Sequence, residues 1–278
     1  MGLKLMYITN DPKIAQIIEL AGVDRIFVDM EYIGKSDRQG GMDTVQSHHT
    51  VQDVANIRKV LTKAELLVRV NPIHEVTAEY ASSAQEIDAV IAAGADVVML
   101  PYFKTTGEVQ KFIQLVNGRA KTMVLLETPE AAEIVDEILE LKGLDEIYVG
   151  LNDLSLGCKK KFMFELLADG TVERLCSKFR RTGIPYGFGG VAAPGTGTLP
   201  AERIIREHYR LGSTCVILSR SFCNTAKIRD LQEIDRVFRT GVQAIRDVEA
   251  ECQKHIDYFS DNVHEVQTAV EKIVSSMQ

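Results

Sequence analysis

The chain has 278 residues, 45% of them apolar and 26% charged, with a formal net charge of −7. That is ample material for a large core, and a negative balance whose longest basic run is Lys159-Lys160-Lys161 argues against nucleic acid or an anionic membrane as partner. No apolar run approaches the ~18 residues of a membrane span. The start, Met1 to Ile8, is too short for a signal peptide and reads as a first strand, and Met6 stands where a myristoylation signal needs Ser or Thr. The five cysteines, Cys158, Cys176, Cys215, Cys223 and Cys252, are odd in number with no C-x-x-C pair, which predicts reduced thiols in a cytoplasmic protein.

In chain order, strand-like runs fall at Lys4–Ile8, Arg25–Asp29, Leu66–Val70, Asp96–Leu100, Thr122–Leu126, Glu146–Val149, Tyr186–Gly189 and Cys215–Leu218. The runs that lead to Glu127 and Asp153 are rich in β-branched and aliphatic residues, as in parallel strands buried on both faces. Between them lie helical patterns at Lys13–Leu20, Val51–Leu61, Ala84–Ala93, Glu108–Val116, Pro129–Leu141 and Pro200–Tyr209. Glycines such as Gly183 and Gly212 stand at the expected helix stops. Eight strands with interleaved helices and no long linker predict a (β/α)8 barrel. A doubly wound open sheet is the alternative, but the first strand-to-helix turn lacks the G-x-G-x-x-G of a nucleotide site.

Two segments interrupt the rhythm. Tyr32–Thr50 is long and polar, and loops of this length in a compact domain are functional or disordered. Gly187–Gly197 is glycine-rich, suited either to cradling a phosphate at a barrel mouth or to tight turns. Beyond the eighth strand, Ile234, Val237, Phe238, Val242, Ile245, Val248, Cys252, Ile256 and Phe259 keep a helical period, and Val263, Val266, Val270, Ile273 and Met277 follow at alternating three and four. We therefore divide the chain into a barrel over 1–230 and a helical extension over 231–278. The extension is expected to pack on its own barrel or in a homo-oligomer interface.

Candidate chemistry gathers at strand ends. Glu127 and Asp153 each close a buried apolar run, which puts a carboxylate at the C-terminal mouth of a parallel sheet, where such folds bind ligands. Two neighbouring carboxylates repel unless a cation or a shared proton lies between them, and a divalent metal meets that need. Arg69 lies inside an apolar strand, so its guanidinium must be paired, with either a barrel acid or an anionic substrate. Asp29 and Glu31 close the second strand and suit the outer shell of a metal, a bound water, or a cap or loop ion pair. His48 and His49 precede the cap-like Thr50, and one of them could be a general base near neutral pH or a solvated loop residue. Pro101 reads as a strand-end wall.

Several of these blocks carry a resemblance. Phe27-Val28-Asp29-Met30-Glu31, Leu67-Val68-Arg69-Val70-Asn71, the run from Ala93 to Pro101, Leu125-Leu126-Glu127-Thr128-Pro129 and the run from Tyr148 to Ser155 are similar, in this order, to the HpcH/HpaI aldolase and citrate lyase family. The resemblance spans roughly residues 3–225 and includes the 26-residue spacing of Glu127 and Asp153. It implies a (β/α)8 barrel that cleaves or forms a carbon–carbon bond next to a small 2-oxo acid, with Mg²⁺ or Mn²⁺. It further implies Glu127 and Asp153 as metal ligands, Arg69 on the substrate carboxylate and the enolate charge, and substrate contacts around Gly150, Leu151 and Asn152. Where many pyruvate aldolases of the family carry Gly-Glu-His, this chain has Met30-Glu31-Tyr32. The base is then Tyr32, His48 or His49, or the reaction differs. A 2-oxo-acid decarboxylase, an acyl-CoA lyase and a non-catalytic carboxylate-binding barrel are the other readings.

Overall fold

A computed structural model describes residues 2–34, 47–254 and 258–277. Most of the segment Tyr32–Thr50, the tail residue Ile256 and His255 lie outside the described residues. Eight parallel strands close a barrel in sequence order: β1 (Lys4–Ile8), β2 (Arg25–Asp29), β3 (Glu65–Arg69), β4 (Val97–Leu100), β5 (Lys121–Leu126), β6 (Glu146–Val149), β7 (Tyr186–Val191) and β8 (Cys215–Leu218), with β8 pairing back to β1. The closed (β/α)8 barrel with added C-terminal helices is the fold that the alternation of the sequence predicts.

The period of two along a strand decides what fills the lumen. On β2, Ile26 and Val28 face the helices and Arg25, Phe27 and Asp29 face inward; β3 pairs with it in register as Arg25 with Glu65, Phe27 with Leu67 and Asp29 with Arg69. Three tiers result. The middle one is apolar, built from Phe27, Leu67, Met99, Met123, Leu125 and Tyr148 among others. At the N-terminal end Arg25, wholly buried, donates to Glu65 and to Glu146 at 2.6–3.1 Å, and Lys4 and Lys121 also reach Glu65. The third tier, at the C-terminal end, holds Asp29, Arg69 and Glu127.

Helix boundaries follow local chemistry. Thr50, Ser82 and Thr105 each make a capping box, with Asp53, Gln85 and Glu108. The stretch expected as one helix from Pro129 is two short ones, Pro129–Glu133 and Val135–Leu139, broken at Ile134. The helices Leu151–Gly157, Glu165–Ala168 and Thr171–Thr182 fill the connection from β6 to β7, the last closing on Gly183 in the left-handed region. In the tail, Leu231–Lys254 packs on helices Pro12–Leu20 and Ala201–Leu211, while Phe259–Ser276 packs on Ala201–Leu211 and Glu165–Ala168. Its apolar seam is thus covered in part by its own barrel, with Val266 and Val270 buried. All five cysteines are free and four are buried; burial pushes the Cys215 thiol up to about 12, so it is inert. Among the described residues no helix is long and apolar enough to cross a membrane.

Candidate active site

The inward tier at the C-terminal mouth is the candidate site. Glu127 follows the last residue of β5 and Asp153 lies in the first turn of the helix Leu151–Gly157, both nearly fully buried. Each is steadied by an N–H donor: Tyr102 N–H donates to Glu127 Oε1 at 3.0 Å, and Asn152 Nδ2 to Asp153 Oδ1 at 3.1 Å. Tyr102 reaches its partner with a backbone in the left-handed region, φ 47°, a conformation that costs a non-glycine residue on the order of 1 kcal/mol or more and clusters at functional sites. Gly150 is glycine for a steric reason, because a Cβ there would stand 2.8 Å from Glu127 Oε2.

Arg69 closes the site from β3. Its Nε and Nη2 grip the two oxygens of Asp29 at 2.8 Å each, and Nη1 lies 3.3 Å from Glu31. Its guanidinium also sits over the Phe27 ring, 5.5 Å from the centroid. Burial alone would lower the Arg69 pKa, but Asp29 and Glu31 hold it well above the ordinary value, so it is a permanent cation. Of five N–H groups, these contacts use three, and the side chain keeps 13% of its surface exposed. Of the two sequence expectations for Arg69, the structure shows the barrel acids behind it, and its exposed edge borders a cavity.

Arg69, Glu127, Gly150, Leu151, Asn152 and Asp153 line one cavity of about 200 Å³, with Tyr148, Gly189 and Ile217 on its walls. Two residues carry no functional signal in the sequence: Tyr148 in this cavity, and Tyr102, whose N–H holds Glu127 from a neighbouring one. Tyr148 is the inward residue two before Gly150. Its hydroxyl donates to the Gly189 carbonyl and accepts from Ile217 N–H at 2.9 Å. It spans a bulge where Gly187 pairs with Cys215 but Gly190 with Ile217, one extra residue on β7. Gly189 has φ 60°, and a Cβ on it would meet Leu151 at 2.9 Å. The glycine-rich stretch thus shapes the bulge beside Leu151, and further along Gly195 N–H is bonded to the Glu202 carboxylate at 2.6 Å, where a phosphate would be repelled.

A second cavity of about 540 Å³ adjoins the first at Arg69 and Ile217 and is lined by Thr9, Asn10, Asp29, His49, Ser219 and Arg220 among others. His49 is buried there, while His48 is exposed and stacks on Tyr32. The Tyr32 hydroxyl donates to the His49 carbonyl. Burial and the negative charge of Asp29 push the Tyr32 phenol above its ordinary value. The structure brings His49, Asp29 and Arg69 to one wall and leaves His48 on the outer side.

The donor set suits a hard divalent cation. Two carboxylates with no histidine or cysteine beside them select Mg²⁺ or Mn²⁺ over zinc, and the glycine at 150 keeps space against Glu127 that a side chain would fill. Among the described residues no group of three or more histidine, cysteine or acidic side chains could hold a metal.

Fold and site define a (β/α)8 barrel whose mouth joins Arg69 to one carboxylate at the end of β5 and to a second, Asp153, which the sequence placed at a strand end but which lies in the first turn of the helix after β6. The family model described as HpcH/HpaI aldolase/citrate lyase matches residues 4–165, and the chain belongs to that family. Similar solved structures include a family protein from Burkholderia cenocepacia (TM-score 0.59, 17% identity, 84% of this chain and 95% of that one). An aldolase from Desulfitobacterium hafniense is similar at TM-score 0.59 and 15% identity, over 84% and 93% of the two chains. The citrate synthase SbnG matches at TM-score 0.60 and 14% identity, over 84% and 94%. At these identities the likeness shows the fold. No curated protein is similar enough in sequence to count as a relative.

Proposed function

We propose that this protein is a divalent-metal-dependent carbon–carbon lyase that cleaves or forms a bond next to a small 2-oxo acid. The observation that carries this reading is the shared cavity of Arg69, Glu127 and Asp153 with the backbone from Gly150 to Asn152. Glu127 and Asp153 would hold the ion, which when bound polarises the keto group of the substrate. Arg69 presents a fixed positive charge on the cavity wall. Cleavage next to a 2-oxo acid leaves an enolate, and a cation preorganised in a water-poor cavity stabilises that developing charge without reorganising. Asp29 and Glu31 hold the guanidinium in place, so its remaining N–H groups are aimed before substrate arrives. The N–H groups opening the helix at Leu151 and Asn152 suit a substrate carboxylate, as a helix N-terminus does.

The test is pyruvate release from a panel of 4-hydroxy-2-oxo acids, with Mn²⁺ and with chelator. Release that needs Mn²⁺ and disappears in Glu127→Gln supports the reading. Tight oxalate or pyruvate binding with no turnover of any panel member would instead mark a carboxylate-binding barrel. Release of carbon dioxide in place of an aldehyde would mark a decarboxylase.

A further inference from the structure

Asn71 stands two residues beyond Arg69, the last residue of β3, and Val70 between them packs outward in the helix-facing core. The period of two therefore carries Asn71 to the same face as Arg69, one step nearer the mouth. It is buried, and both polar atoms of its side chain are engaged. Its Oδ1 accepts from the backbone N–H groups of Tyr32 at 2.8 Å and Ile33 at 2.9 Å, and its Nδ2 donates to Glu86 Oε1 at 2.8 Å. A backbone N–H cannot accept, so the amide has one orientation, with oxygen towards Tyr32 and Ile33 and nitrogen towards Glu86.

Glu86 is a firm anchor. It lies in the first turn of the helix Ser83–Ala92, which Ser82 caps, where the helix dipole favours a carboxylate. It also takes the Asn71 backbone N–H, at 3.3 Å to each oxygen. On the other side of Asn71, the chain leaving β2 is held at successive points. Met30 N–H donates to the Arg69 carbonyl at 2.9 Å, and Tyr32 and Ile33 donate to Asn71. Glu31 lies between these ties, so its backbone is fixed from both directions. Its carboxylate is thereby brought to 3.3 Å from Arg69 Nη1, while Asp29 holds Nε and Nη2.

We infer that Asn71 is a positioning residue of this site: by tying Tyr32 and Ile33 to Glu86, it holds Glu31 against Arg69 and so sets the direction of the guanidinium edge that borders the cavity. The inference rests on the lyase reading above, in which Arg69 meets an anionic substrate, and holding such a group in its productive direction is a contribution to rate and affinity. Asn71 itself touches neither substrate nor metal.

The experiment compares Asn71→Ala with the paired variant Asn71→Asp/Glu86→Gln, which keeps an acceptor for Tyr32 and Ile33 and reverses the hydrogen bond between the two side chains. In the full chain labelled with ¹⁵N-arginine, the Nη signals of Arg69, assigned by their loss in Arg69→Lys, report rotation about the Nε–Cζ bond. We expect that rotation to be at least fivefold faster in Asn71→Ala and close to the wild-type rate in the paired variant. By calorimetry with Mn²⁺, oxalate affinity should fall at least fivefold in Asn71→Ala and recover in the pair, with Mn²⁺ affinity unchanged throughout. Unchanged Arg69 signals in a folded Asn71→Ala, whatever its loss in urea midpoint, would overturn the inference and leave Asn71 a structural tie. Faster rotation with unaltered oxalate affinity would overturn it too, as would a folded pair that restores neither readout. If Asn71→Ala does not fold, Asn71→Ser, whose shorter side chain cannot span both partners, is read by the same criteria. The Arg69 signals need no ligand, so a wild type that binds no oxalate would count against the lyase reading while those signals still decide the positioning.

Discussion

Arg69 and Asp29 stand opposite each other in the β2–β3 register, and the guanidinium grips both carboxylate oxygens at 2.8 Å. The pair sets the direction of the remaining N–H groups of the arginine. Lysine keeps the charge but cannot present a fork. Arg69→Lys should therefore fold and lose about a hundredfold in kcat, or about 3 kcal/mol of transition-state stabilisation. Near-wild-type turnover in this variant would make the arginine purely structural.

Glu127 and Asp153 should bind one divalent ion with water completing its shell. Removing one of two charged ligands weakens a hard-cation site far more than it disturbs the fold, since Gln keeps the volume of Glu. Mn²⁺ titration into wild type and Glu127→Gln, followed by calorimetry, should show at least a tenfold weaker affinity in the variant. Equal affinities would remove Glu127 from the ligand set.

The ion network at the opposite end of the barrel predicts the reverse pattern. Arg25 is fully buried against Glu146, and Arg25→Met would leave that carboxylate buried without its partner, at a cost of about 3–5 kcal/mol. Urea unfolding should report the loss, while kcat per folded molecule stays close to wild type. A large fall in kcat at unchanged stability would show that the two ends are coupled.

His208 gives a pH dependence of stability. It is fully buried, stacked on Phe188 at 3.9 Å with Nδ1 on Ser213 Oγ at 2.7 Å, and burial lowers its pKa from 6.5 to about 3. The unfolded chain takes up a proton below pH 6.5 that the folded chain refuses, so stability present above 6.5 is lost as pH falls. Between pH 7 and 5 this amounts to about 2 kcal/mol. Measured by denaturant midpoint, the loss over that interval should be smaller in His208→Phe than in wild type. Identical slopes would assign the acid sensitivity to other groups.

Much of this protein is determined by its sequence alone. Strands β1, β2, β6 and β8 have the predicted bounds because unbroken aliphatic runs between glycine and cap signals admit few alternatives. Glu127, Asp153 and Arg69 are conspicuous because a charge at the end of, or within, such a run needs a reason to be there. What the sequence leaves open is which side chains meet. Period-two alternation shows that Arg25, Phe27 and Asp29 share a face, but only closure of the barrel sets Arg25 against Glu146, 121 positions away, and Asp29 against Arg69. The bulge under Tyr148 and the left-handed turn at Tyr102 are likewise tertiary, since each exists to satisfy a partner on another strand. Of two adjacent histidines that look equivalent in sequence, the fold buries one. That burial, with the Asp29 N–H on Nδ1 of His49, depends on how β2 and the segment before Val51 meet in space, which no local sequence pattern encodes.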